Sequence, residues 1–332
     1  MKFVIATGVY PPQVGGPAKY AAMLTHTAHE KGHHARVATF TLERKLPSGI
    51  RHFYFFLKMC FKLIGTKGVI ALDTMSVGLP SLLAAKVMRK KIIVRVGGDF
   101  LWEAWVERIK QMVHLSDFYS VKREFTFKEK AIRFFTKMLY KRADVVAFTT
   151  EWQRDFTVPA YNIDHERFTV IENYFGEKIP VTSEPEAKKT FLAVGRNIAL
   201  KNIERVEHAF TDVAQTKGGI ELVTGTFTPD VLEKKIASCG VIVVASFSEV
   251  APNIVLEGLR YNKPFILTQD CGLYEELKDV GVFIDPFDTD SLAEAMRSLS
   301  YPAYYESYVA KAGGFKKVRE WDMVLSEYLS LL

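Results

Sequence analysis

The fold turns on one stretch: Val241-Ile242-Val243-Val244-Ala245-Ser246-Phe247-Ser248-Glu249-Val250-Ala251-Pro252-Asn253-Ile254-Val255-Leu256-Glu257. A short β-branched run ends at Ala245 and a helical pattern begins near Asn253, so the segment reads as strand, loop and helix. The same alternation extends in both directions. Upstream, strands are expected at 3–7, 36–40, 69–72, 92–96, 145–148, 169–171, 191–194 and 220–223, and downstream at 265–268 and 282–284. Helical patterns at 17–31, 79–88, 202–215, 253–261 and 291–299 lie between them. Strands alternating with helices indicate parallel βαβ units, hence an α/β protein. The polar stretch 177–189, with Pro180, Pro185 and Ser183, reads as a linker.

Two Rossmann-like, doubly wound domains in series follow, at 1–180 and 181–312. A tail at 313–332 places Phe315, Val318, Trp321, Val324, Leu325, Tyr328, Leu329 and Leu332 on one helical face. That face needs a surface to cover, on its own domain or on the first.

The 332 residues are 48% hydrophobic, which suits globular cores and excludes a disordered chain. No apolar run reaches the ~18 residues of a membrane span; residues 53–64 come nearest and are broken by Lys58 and Lys62. Cys60, Cys239 and Cys271 match no metal or redox spacing and read as reduced thiols of a cytoplasmic protein. Residues 1–180 hold 28 Lys/Arg against 16 Asp/Glu, or +12, and residues 181–332 hold 16 against 22, or −6. The basic half is suited to a polyanion, or is simply a basic surface.

Ligands of open α/β sheets bind beyond the carboxyl ends of strands, at the starts of the following helices. Three loops qualify. Gly15-Gly16-Pro17, after the first strand, brings backbone amides within reach of a phosphate or sugar, or is a plain turn. It is not a GxGxxG fingerprint. Gly195-Arg196…Lys201 follows the strand at 191–194; its two cations suit a pyrophosphate, or are solvated. Glu249 and Glu257 flank a helix start at Asn253 and Ile254, where carboxylates hold hydroxyls and amides meet phosphate oxygens; a surface role is the alternative.

In combination these loops resemble glycosyltransferase family 4, the glycosyl transferases of group 1, and the resemblance covers nearly the whole chain. It is carried by Tyr10-Pro11-Pro12 through Gly15-Gly16-Pro17-Ala18, by Gly97-Gly98-Asp99-Phe100-Leu101-Trp102-Glu103, by Gly195-Arg196…Lys201 and by Glu249 through Glu257. The sequence Lys263-Pro264-Phe265-Ile266-Leu267-Thr268, the run Cys271-Gly272-Leu273-Tyr274-Glu275-Glu276 and the helix around Trp321 complete it. The resemblance implies a GT-B fold with a cleft between two domains, and a last helix that returns to the N-terminal domain. It implies a retaining, metal-independent hexosyltransferase without a cofactor, whose donor substrate is a nucleotide-sugar such as a UDP- or GDP-sugar. Arg196, Lys201 and Glu249 would be catalytic. Gly15, Gly16, Gly195, Asn253, Ile254 and Glu257 would bind the donor, with Glu257 on the ribose diol. Between 220 and 245 the chain is shorter than is usual in the family, in a stretch that helps hold the base. A nucleotide-sugar or glycan-binding protein of the same fold without turnover is the alternative.

Asp99, Trp102 and Glu103 follow a strand end and form an acceptor-side group, with Asp99 alternatively a helix cap. The acceptor expected is a glycan or a lipid-linked glycan of envelope or polysaccharide synthesis. His26 and His29, one helical turn apart, read as surface residues, not a zinc site. Residues 51–67 and 122–142 mix cations with aromatics; the second carries eight cations, two glutamates, Phe125, Phe127, Phe134, Phe135 and Tyr140. Such helices fit an anionic membrane, or a core with a solvated back. The enzyme is thus expected in the cytoplasm, peripheral on the inner face of the plasma membrane. No nucleic-acid motif is present, and no nucleic-acid partner is expected.

Overall fold

The computed structural model describes residues 1–163, 167–180, 190–196 and 198–332. The chain divides into two units: Met1–Trp105 with Lys122–Tyr174 and Arg319–Leu332, and Val106–Val121 with Phe175–Val318.

Unit 1 contains a parallel sheet of β1 (Lys2–Thr7), β2 (His34–Thr39), β3 (Gly68–Ala71), β4 (Lys91–Val96), β5 (Val145–Phe148) and β6 (Phe168–Val170), in the order β2-β1-β3-β4-β5-β6. Unit 2 contains β7 (Thr190–Val194), β8 (Glu221–Gly225), β9 (Val241–Val244), β10 (Phe265–Thr268) and β11 (Val282–Ile284), in the order β8-β7-β9-β10-β11. Both sheets run second-first-third-fourth from one edge. Each therefore reverses direction beside its first strand, between β1 and β3 and between β7 and β9. These are the topological switch points where such sheets bind ligands.

The crossovers between parallel strands place helices on both faces. In unit 1, α1 (Gly16–Glu30) lies on one face together with the terminal helix α14 (Trp321–Leu331). Tyr20, Leu24, Val324, Leu325 and Tyr328 bury there against Phe3, Ile5 and Ile70. The Tyr20 ring meets Trp321 edge-on at 5.0 Å, and its hydroxyl lies 3.2 Å from that of Tyr328. On the other face α2 (Ser48–Lys62), α3 (Gly78–Val87) and α6 (Phe127–Arg142) pack in a row, with Phe55, Met59, Leu63, Leu82 and Leu139 buried. Thr126 starts α6 with a capping box: its hydroxyl accepts from the Glu129 amide, and the Glu129 carboxylate accepts from the Thr126 amide.

Unit 2 shows why a period of two is needed in these strands. Phe191, Ala193, Val241, Val243 and Ile266 point to one core, with α8 (Ile203–Thr216) and α12 (Thr289–Leu299). Leu192, Ile242, Val244, Phe265 and Leu267 point to the other, with α9 (Pro229–Ser238) and α10 (Asn253–Arg260). A Cβ on Gly258 would fall 2.0 Å from Ile242, so α10 approaches β9 closely only because this residue is glycine.

The division departs from the boundaries expected at 180 and 312. Phe175 packs on Phe315 at 5.3 Å, and the Ile179 amide donates to Arg260 O, so the start of the expected linker is tied down on α10. Residues 181–189 of that linker lie outside the described residues. Helix α13 (Pro302–Gly314) ends unit 2. The returning segment begins only at Arg319, so Phe315 and Val318 are not on the terminal helix face. The largest departure is 106–121. Chain order puts it in the first half, but its side chains are spent on unit 2, where Leu115 and Phe118 are buried.

Candidate donor site

The loop after β7 is shaped by a lysine stem. A Cβ on Gly195 would fall 3.1 Å from Lys201 Cγ, so glycine makes room for Lys201 to cross the strand end. Lys201 closes a 3-10 turn, Ala199–Lys201. Asn202 follows in the left-handed region (φ 54°) and turns the chain into α8. Its side-chain Nδ2 donates to Ala245 O at 3.1 Å and to Pro286 O at 2.8 Å, joining the ends of β9 and β11 to this turn. The sequence reading passed over Asn202; an asparagine directly after the paired cation, where the chain must change hand, was the available signal.

Lys201 then reaches the loop after β9. Its ammonium is 2.6 Å from Glu249 Oε1, and the Ser246 hydroxyl donates to the same oxygen at 2.7 Å. The Glu249 backbone is clamped: its amide donates to Asp270 O at 3.0 Å, and its carbonyl accepts from the Gly272 amide at 2.9 Å. Two residues expected to act together, Lys201 and Glu249, are thus brought into contact across the switch point. Arg196 is exposed at the end of β7. Asn253 and Ile254 begin α10, with Asn253 exposed and Ile254 half-buried against the core shared by α9 and α10; Glu257 stands one turn on, half-exposed. The Glu249 loop runs beside Cys271, whose thiol burial pushes up to about 12, so it is no nucleophile at neutral pH.

Residues 106–121 brace both loops from outside. The Leu115 amide donates to Ser248 Oγ at 2.7 Å, and Ser116 Oγ donates to Asp270 Oδ1 at 2.6 Å. Ser248 also donates to Asp270. His114 Nδ1 lies 2.8 Å from Phe247 O, and its ring stacks on Phe287 at 4.4 Å. Glu107 reaches the Ala199–Lys201 turn. Burial works against its charge, but Lys110 and the Leu200 and Ala199 amides outweigh it and hold the carboxyl below its usual range. Sequence reasoning missed this support because its residues come from before β5 and meet their partners only in the folded chain.

In unit 1, Gly15 and Gly16 stand exposed at the start of α1, Gly15 at φ 141°, a conformation that favours glycine. Asp99 is buried, and its Oδ1 accepts the Leu101 and Trp102 amides, each at 2.9 Å. It therefore caps α4 (Phe100–Ile109). Trp102, expected on the acceptor side, is 5% exposed, so little of its ring is open to an acceptor. Glu103 is half-exposed beside Gly98, with Oε1 3.0 Å from where a Gly98 Cβ would sit. Asp73, absent from the sequence reading, follows β3 at the unit 1 switch point. Its Oδ1 accepts the Val77 amide at 2.9 Å, and its Oδ2 lies 3.6 Å from where a Gly8 Cβ would sit. Burial raises its carboxyl to about 6, against the opposing pull of the Val77 and Gly78 amides. It is the only acid between Arg44 and Gly98, a signal that was open to view.

His26 pairs with Glu30 at the surface and His29 bonds to Ala35 O. Among the described residues no group of three His, Cys, Asp or Glu is arranged to hold a metal, and no helix is long and apolar enough to cross a membrane.

Residues 173–300 match the family model of glycosyl transferases group 1. No curated protein matches the chain. Among solved structures, the whole chain aligns with all of Anabaena HepE, crystallised with UDP and glucose, at TM-score 0.71 and 12% identity. Sucrose-phosphate synthase of Thermosynechococcus elongatus aligns over 99% of this chain and 98% of its own at 0.71 and 15%. WaaG, a glycosyltransferase of lipopolysaccharide biosynthesis, aligns over 99% of both chains at 0.67 and 14%. At these identities the likeness is one of fold: two parallel-sheet units of the GT-B kind.

Proposed function

We propose that this chain of GT-B fold, whose residues 173–300 match the model of group 1 glycosyltransferases, is a retaining, metal-independent transferase that moves a sugar from a nucleotide-sugar to a glycan or lipid-linked acceptor. The observation that carries the reading is the Lys201–Glu249–Ser246 contact at the unit 2 switch point, within the matched residues. A carboxylate fixed by a lysine and a serine keeps its remaining lone pairs for sugar hydroxyls. The lysine at the same position, with Arg196, neutralises a departing diphosphate. The α10 amides add the positive end of a helix dipole, so charge on the leaving group is met by protein groups in place of a divalent ion. Glu257 takes the ribose diol.

The reaction in this reading is front-face substitution. The acceptor hydroxyl oxygen bonds to the anomeric carbon as the bond from that carbon to the phosphate oxygen breaks. The acceptor's proton passes to the leaving phosphate, so no protein base is required and the configuration is retained. The UDP bound by HepE makes a uridine donor the first to try, and WaaG's part in lipopolysaccharide synthesis supports an envelope acceptor. Such work would place the enzyme in the cytoplasm, on the inner face of the plasma membrane.

The test is a thermal-shift screen with UDP, GDP, ADP and their sugars, followed by transfer assays in excess EDTA. One diphosphate should raise the melting temperature, by the equivalent of about 2.7 kcal/mol at a hundredfold excess over Kd. Transfer should persist in EDTA. Loss of transfer in EDTA with rescue by magnesium or manganese would refute the metal-free mechanism, and binding without turnover would make the chain a non-catalytic nucleotide-sugar-binding protein of this fold.

A further inference from the structure

Helix α2 is apolar on two sides. Phe55, Met59 and Leu63, spaced by four, are buried against the sheet. On the opposite side Ile50, Phe53, Leu57, Phe61 and Ile64 recur at intervals of three and four and stand in solvent, Phe53 at 63% and Phe61 at 74% exposure. One stripe is enough to pack a surface helix, and a second, outward stripe has no role in this core. The neighbouring helices continue it. Leu83 and Val87 project from α3, and Phe127 (89% exposed) and Phe134 from α6. An apolar face spread over three packed helices exceeds the scattered exposed residues normal for a soluble protein.

The helices of this face are strongly basic, with Lys86 of α3 paired outward, to Asp144. Residues 44–98 contain eleven Lys/Arg and a single acid, Asp73, which is tied to the start of α3. Within α6, Lys128, Lys130, Arg133, Lys137, Lys141 and Arg142 stand against Glu129 alone, and Glu129 is buried in the capping box. Some of these cations are used inward: Lys58 pairs with buried Glu43, and Arg51 binds the carbonyls of Glu43 and Leu46. Lys128, Lys130, Lys141 and Arg142 are exposed.

We infer that the α2–α3–α6 face of unit 1 docks on an anionic lipid membrane, with the outer stripe of α2 entering the headgroup–acyl boundary and the α6 cations binding the headgroups. Protruding aromatics within a cationic surface suit an interface that is apolar below and negative above. This deepens the transferase reading, on which it rests only for the cargo, a lipid-linked acceptor held at that membrane. The main apolar contact is on α2.

The test is flotation of the full chain with phosphatidylcholine vesicles, with and without phosphatidylglycerol, at low and high salt. Wild type should float with anionic vesicles, weakly with neutral ones, and less at high salt. Phe53→Ser with Phe61→Ser should lower binding about tenfold or more, and Lys128→Glu with Lys130→Glu should remove the preference for anionic lipid. All four positions are exposed, so circular dichroism and the nucleotide-induced thermal shift should stay as in wild type. Undiminished flotation of the serine variant would overturn the proposal, as would equal binding to neutral vesicles. A wild-type dimer in sedimentation that the serine variant dissociates, without flotation, would assign the face to a second copy of the chain. Vesicle binding needs no donor, so flotation without a nucleotide shift would refute the transferase reading and leave the docking face standing.

Discussion

Units 1 and 2 share one strand order and differ in what stands on it. At the carboxyl edge of unit 2, side chains bond to one another: Lys201 to Glu249, Ser246 to Glu249, and Ser116 and Ser248 to Asp270. At that edge in unit 1 the carboxylates of Asp73 and Asp99 turn to the amides of the helices that follow them, and glycines occupy the loops. Away from the edge the contrast reverses, for unit 1 carries the exposed apolar side chains and cations of α2, α3 and α6. One topology thus supports a prearranged polar site in one unit and an outward-facing surface in the other. The sheet determines where a ligand can sit, while chemistry comes from the residues placed there.

The contrast is broken most sharply at Glu249. Glu249→Gln and Lys201→Ala should each lower transfer by about a hundredfold or more, and Arg196→Ala by less, with far-UV circular dichroism unchanged. Wild-type turnover from Glu249→Gln would make the Lys201–Glu249 pair a structural clasp and bring the two edges into line.

Asp99 separates cap from site in unit 1. Asp99→Ala should lose about 1 kcal/mol of stability by uncapping α4, measured by denaturant unfolding. Asp99→Asn keeps a good cap and so should keep stability; if the carboxylate also serves the acceptor, transfer falls at least about tenfold in this variant. Full transfer by Asp99→Asn would leave the residue as a cap alone.

The smallest effect expected is in pH dependence. The Asp73 carboxyl is raised from 3.8 to about 6, so on acidification the folded state takes up this proton before the unfolded state does. Its contribution to stability is full below about pH 4 and is lost as pH rises through 6. Glu43 acts in a separate window. Burial opposes its charge, but bonds to Lys58 and Thr41 outweigh this and lower it to about 2, so its contribution is lost only as pH falls from 4.5 through 2. Denaturation midpoints for Asp73→Asn between pH 4 and 7 should vary less than those of wild type. An unchanged profile would show that Asp73 titrates normally.

Much of this was legible before folding, because it depends on local pattern. The runs at 265–268 and 282–284 coincide with β10 and β11, since buried β-branched stretches between turns have few alternatives. The Gly195-Arg196…Lys201 and Glu249 motifs pointed to their loops because helix starts after parallel strands are marked by glycine, charge and proline in the sequence itself. Three features needed the tertiary structure. The transfer of 106–121 to unit 2 depends on Leu115, Ser116 and His114 finding Ser248, Asp270 and Phe247, pairs more than 130 residues apart. The inward turn of Trp102 depends on how α4 packs, which composition does not encode. The outer stripe of α2 emerged only when Phe55, Met59 and Leu63 had gone to the core and left Phe53, Leu57 and Phe61 outside. Periodicity tells that a helix is apolar, but which of two apolar sides is buried is decided by the surface it meets.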